Sequence, residues 1–121
     1  MKQGQINKAY AALTRLAECR LPISKARAIY VLLKEAEEFY KFAMQEESKY
    51  IKEYNGKITS NGSISFDKPE DSRRFQEKLI ELNNSEVEWD VSLITLEDID
   101  MGDNVISPSD IYYLEGIVSF K

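Results

Sequence analysis

Residues 24–54, SKARAIYVLLKEAEEFYKFAMQEESKYIKEY, decide the fold. Ile29, Leu33, Ala36, Tyr40, Ala43, then Tyr50 or Ile51, and Tyr54 recur at a spacing near 3.5, which predicts one long amphipathic helix. Leu32, Phe39 and Met44 widen the stripe, and Glu47 interrupts it. Glu37–Lys41 and Glu38–Lys41 supply opposite charges of the kind that decorate a solvated face. A helix of about 30 residues reaches about 45 Å, more than a domain of this length needs for its own core. Something must cover its far end, either the rest of the chain or a second copy. Length without an internal cap is also a signal of coiled-coil or oligomeric packing.

Working toward the N-terminus, Arg20-Leu21-Pro22 breaks the chain before this helix, since proline biases its predecessor away from helical geometry. Ile6, Ala9 or Tyr10, Leu13, Leu16 and Ala17 predict a first helix over 5–19, forming an antiparallel helical hairpin with the second. Working toward the C-terminus, Asn55-Gly56 is a stop signal, with Gly56 expected in the left-handed position. A small β-hairpin is expected over 57–66 around Asn61-Gly62, with Ile58, Ile64 and Phe66 on one face. Asp67, expected as a cap, with Pro69 and Glu70, starts a third helix over 69–83 whose buried stripe is Phe75, Leu79 and Leu82.

Glu86 to Val91 alternates Val87, Trp89 and Val91 with acidic residues, which predicts a half-buried strand over 86–91. Residues 92–104 read as an irregular connection anchored by Leu93, Ile94, Leu96 and Ile99. Ser107-Pro108-Ser109-Asp110 starts a short helix over 108–115, Gly116 stops it, and 117–120 suits a terminal strand. The expected fold class is therefore α+β in a single domain, 1–121: helical hairpin, β-hairpin, third helix, and a C-terminal strand and short-helix region.

No stretch approaches the 18 apolar residues of a membrane span, and no apolar leader block follows Met1. Cys19 is the lone cysteine, so no disulfide framework exists within the chain. A reducing cytoplasm is the expected location, and Cys19 reads as a buried thiol. Residues 1–78 carry 15 Lys and Arg against 11 Asp and Glu, whereas residues 79–121 carry 10 acids and only Lys121 as a base. Either the acidic segment folds back over the basic part, or it meets a basic partner. Nucleic acid is an unfavoured partner, because the acidic part repels phosphate and the basic residues alternate with Glu.

With no histidine, the commonest general base and every His-containing zinc site are missing. No phosphate-binding Gly-rich loop occurs. Asp98, Asp100 and Asp103 around Gly102 are the metal candidates, with oxygens suited to Ca²⁺ or Mg²⁺, although the spacing departs from the calcium-loop pattern. They also keep a carboxylate- or metal-dependent enzyme open as an alternative. No catalytic residue, cofactor or cofactor site is expected. Tyrosine, with an apolar ring and a polar tip, suits the rim between core and interface, so Tyr40, Tyr50, Tyr54, Tyr112 and Tyr113 read either as core edge or as interface candidates, joined by Arg73 and Arg74.

Three stretches carry a family resemblance. They are the charged helix from Ala28-Ile29-Tyr30-Val31-Leu32-Leu33-Lys34 to Tyr50-Ile51-Lys52-Glu53-Tyr54; Ile64-Ser65-Phe66 with Phe75-Gln76-Glu77-Lys78-Leu79-Ile80-Glu81-Leu82-Asn83 and Glu86-Val87; and Ile106-Ser107-Pro108-Ser109-Asp110 with Leu114-Glu115-Gly116-Ile117. In these, over about two thirds of its length, the chain resembles an uncharacterised family of small phage and prophage proteins. The resemblance implies a viral or prophage origin and an accessory role, and it transfers no functional residues. By analogy the expected role is protein binding without catalysis, as an assembly factor or an inhibitor of a host protein, a host defence component among them. The expected partners are a host or phage protein, or a second copy joined through the long helix.

Overall fold

The computed structural model describes the backbone of residues 1–121 and every side chain except that of Ile99, one of the four anchors read from the sequence. The first helix, α1 (Gln3–Leu16), starts and ends earlier than its apolar pattern suggests. Its start is fixed by contacts from far along the chain: Gln3 N donates to Ser85 O at 3.0 Å, and Val87 N donates to Met1 O at 2.8 Å. The Gln5 side chain accepts from Lys2 N at 2.8 Å, supplying a partner for an amide that would otherwise be orphaned. Residues 17–19 leave the helix as a turn, with Cys19 N donating to Leu16 O at 3.0 Å.

The long helix α2 (Ile23–Glu53) runs within one residue of its expected bounds. Asn55, at φ 59°, takes the left-handed position there, not Gly56. Gly56 is needed for another reason. A Cβ on it would sit 3.0 Å from the side chains of both Ile64 and Phe66, so only a bare α-carbon lets the hairpin fold back on the helix. That hairpin pairs β1 (Lys57–Ile58) with β2 (Ile64–Ser65), antiparallel, with Ile58 opposite Ile64. Gly62 carries the positive φ of the turn. Ile64 and Phe66 are partly covered, whereas Ile58 stays largely exposed, so the expected three-residue face is incomplete.

Helix α3 (Pro69–Asn84) begins with proline in its first turn; Lys68 is its cap residue, and the side chain of Asp67 does not cap it. Phe75 and Leu82 are buried on its inner stripe, and Phe75 meets Phe66 with ring centroids 5.2 Å apart. The expected strand over 86–91 is absent. Its alternation is real, since Val87, Trp89 and Val91 are half-buried and Glu88 and Asp90 exposed, but no neighbouring strand lies beside it. Extended backbone becomes sheet only where a second backbone accepts its hydrogen bonds, and here a single bridge, Lys2 to Glu86, is made.

Strand β3 (Ile94–Leu96) forms instead in the stretch expected to be irregular, which also holds a one-turn helix, α4 (Asp98–Met101). Helix α5 (Pro108–Tyr113) is capped by Ser107, whose hydroxyl accepts from Asp110 N, and it ends two residues short of expectation. The last strand, β4 (Val118–Phe120), lies parallel to β3, with Ile94, Thr95 and Leu96 opposite Val118, Ser119 and Phe120. The outcome is an α+β fold with two N-terminal helices, a small antiparallel hairpin, a third helix and a C-terminal parallel-strand and short-helix region.

One core serves most of the molecule. Leu13 and Leu16 of α1, Ile29, Leu32 and Ala36 of α2, and Leu96, Leu114, Ile117 and Val118 are all buried in it. The acidic C-terminal part thus does fold back onto the basic N-terminal part. Among the described residues, two ion pairs tie the parts over long sequence separation, Arg15 to Asp110 and the N-terminal amine to Glu86. Glu88, Asp90, Glu97, Asp98, Asp103 and Glu115 remain exposed, so folding back neutralises only a small share of the acidic surface.

Candidate interaction surfaces

The acidic loop is built for docking, not for gathering carboxylates. Asp98 and Asp103 are exposed, and Asp100 turns its Oδ2 to accept from Glu97 N at 3.3 Å, closing the turn of α4. Asn104 clasps the connection between α1 and α2: its Oδ1 accepts from Arg20 N at 3.1 Å, and its Nδ2 donates to Arg20 O at 2.8 Å. Among the described residues no group of three or more Cys, Asp or Glu side chains converges on a point where a cation would sit.

Cys19 lies half-buried beside an apolar hollow of about 220 Å³, shared with Leu21, Ile29, Tyr30 and Leu33. Burial pushes its thiol above the ordinary range, helped by the nearby Glu18 carboxylate. It is therefore a protonated packing group at neutral pH, without the thiolate character of a nucleophile.

The charged contact that fixes α5 on α1 is Arg15–Asp110. Arg15 Nε donates to Asp110 Oδ1 at 2.7 Å, and Nη2 donates to the same oxygen. The hydrogen bond from Arg15 holds the Asp110 carboxyl below its usual range, against the opposing effect of burial. With the carboxylate side chain only 5% exposed, this pair is structural: it satisfies a charge that the fold has taken out of water.

The seven interface candidates scatter. Tyr40 stacks on Tyr10 across the α1–α2 seam with centroids 4.6 Å apart, so it belongs to the hairpin's own packing. Tyr50 and Tyr54 are half-buried near the far end of α2. Arg73 is exposed, and Arg74 pairs with Glu70 at 2.7 Å one turn earlier. Tyr112 and Tyr113 do come together, in an edge-on contact at 5.6 Å, beside a groove of about 400 Å³ between α1, α5 and the end of α3. Lys8 places its ammonium 5.5 Å from the Tyr113 ring centroid, and Tyr112 remains 71% exposed at the rim.

A second surface escaped the sequence pattern altogether. The side of α2 that faces away from α1 exposes Ile23 (71%), Tyr30 (59%), Val31 (52%) and Phe42 (54%). At 100° per residue these bracket one face together with Arg27, Lys34 and Glu38, all exposed. On one flank Glu35 accepts a 2.8 Å hydrogen bond from Trp89 Nε1, which brings the extended 86–91 segment alongside the helix. On the other flank, Tyr30 borders the Cys19 hollow. The spacings of seven, eight and eleven residues between these apolar side chains belong to a helix face, but single charges separate them, so no continuous stripe announces it.

No protein-family model matches the chain, and no curated protein or solved structure matches it significantly. Among the described residues, no helix is long and apolar enough to cross a membrane.

Proposed function

We propose that this chain is a non-catalytic, phage-encoded accessory protein that acts by binding another protein, as an assembly factor or as an inhibitor of a host protein. The resemblance of its helical and C-terminal stretches to small phage proteins supports the origin. The observation that supports the binding role is the outward face of α2, where Ile23, Tyr30, Val31 and Phe42 leave large apolar side chains in water. Single exposed apolar residues are ordinary, but four on one face of one helix form the mixed aromatic and charged composition typical of a binding patch. The Tyr112 groove is a smaller, more polar companion site. A host defence component is one target class that such an inhibitor would occupy.

The test is affinity capture from phage-infected host cells with the chain as bait, followed by quantification of the captured protein. Phe42→Glu should reduce capture at least about tenfold, the effect of removing one aromatic anchor. Its far-UV circular dichroism should stay that of the wild type, because Phe42 is not part of the core. Tyr112→Ala should reduce capture less. Capture unaffected by either substitution would overturn the reading.

A further inference from the structure

The outward face of α2 has a charge arrangement that selects its occupant. Arg27 and Glu38 are both exposed on it, eleven residues apart, or about 16 Å along the axis, too far to meet within one helix. Among the described residues neither makes an ion pair, whereas Lys34 and Lys41 both reach Glu37 on the adjoining flank, at 3.8 and 2.8 Å. A basic and an acidic group, both exposed on one face and neither in an ion pair, are self-complementary under a two-fold axis midway between them.

We propose that a second copy of this chain packs on this face, with the two α2 helices antiparallel and Arg27 opposite the partner's Glu38. That register is fixed by the charges, which lie nearest the centre of the face. Val31 meets the partner's Val31 beside the axis, and Ile23 lies level with the partner's Phe42 about 14 Å from the axis, on the opposite edge of the face. The two Lys34 side chains approach the axis, where each is already drawn toward its own Glu37. The face spans about 29 Å of helix, small against a standard interface, so the expected dimer is micromolar and exchanges readily. This inference rests on the reading of α2 as a binding face and gives that face its partner.

Sedimentation equilibrium with the full chain tests it. The wild type should show a monomer–dimer equilibrium in the micromolar range. Arg27→Glu and Glu38→Arg should each weaken dimerisation at least about tenfold, because each places like charges opposite one another twice per dimer. The double variant R27E/E38R should recover most of the affinity. Rescue cannot arise inside one chain, since the two positions are three turns apart, and circular dichroism will confirm that all four proteins are folded. A wild type that remains monomeric into the high micromolar range would overturn the proposal. Single reversals without effect, or a double variant no better than the singles, would do the same. If the wild type is monomeric and Phe42→Glu still abolishes capture of a host protein, the binding role of the face stands and only this occupant is wrong. If dimerisation follows the expected pattern and capture is indifferent to Phe42, the opposite holds.

Discussion

The two ends of α2 carry the same kind of apolar stripe and meet different fates. In the near half, Ile29, Leu32 and Ala36 are buried against α1, β3 and the Leu114–Val118 segment, all parts of one core. In the far half, Ala43 is the last fully buried residue, and Tyr50, Ile51 and Tyr54 are covered only in part. The covering there comes from a hairpin of two-residue strands and one side of α3, through Ile64, Phe66 and Phe75. Periodicity therefore tells which way a helix faces, whereas the depth of burial depends on how many other elements reach it.

The contrast breaks most readily in the near half. Leu13→Ala, at a fully buried core position, should lower the free energy of unfolding by about 4 kcal/mol, from the lost transfer energy and the cavity left behind. Urea denaturation followed by Trp89 fluorescence checks this, Trp89 being the one tryptophan. Equal stability would mean that the core does not depend on the α1–α2 seam. Phe75→Ala should cost somewhat less, about 3 kcal/mol, because the thinner far end can collapse around the gap. Its hydrogen-exchange signature should also be local, with faster exchange in 43–66 and little change in α1. Uniform acceleration would merge the two ends into one cooperative unit.

The smallest effect concerns the clamp between α1 and α5. Asp110 has its carboxyl pKa depressed in the folded state by Arg15, so the unfolded chain binds the proton more readily. Its contribution is present above the unfolded carboxylate value of about 4 and is lost as pH falls through the lower folded value. The melting temperature of the wild type should therefore fall more steeply between pH 5 and 3 than that of Asp110→Asn, a range about centred on ordinary carboxylate titration. Parallel melting curves would mean that the pair contributes nothing beyond its geometry.

Much of this architecture was legible in the residues, and the failures have physical causes. The helices followed from period and punctuation: α2 from its stripe and α3 from Pro69 with Phe75, Leu79 and Leu82. Residues 86–91 were read with the correct faces and the wrong structure, because alternation encodes which side is wet, while a strand also requires a neighbour that lies elsewhere in the chain. Strand β3 was missed for the converse reason. Ile94-Thr95-Leu96 is too short to show a period, and β4 alone makes it a strand. Tyrosine content leaves core edge and interface open, and only the three-dimensional arrangement shows that Tyr40 stacks on Tyr10 across the hairpin while Tyr112 and Tyr113 border a groove. The exposed α2 face went unread because Ile23, Tyr30, Val31 and Phe42 are dispersed among charges, and only the position of α1 shows which side of the helix remains uncovered.

The parallel pairing of β3 with β4 sets an order of events during folding. Parallel neighbours cannot be joined by a tight turn, so residues 97–117, with α4 and α5, must travel across the molecule before Ile94 can meet Val118. The α1–α2 hairpin needs only a short connection and can form early, whereas the two-strand ladder must await a docked α5. Refolding should thus lay down the N-terminal helices first and close the C-terminal segment last, leaving the most acidic part of a nascent chain the longest in solvent.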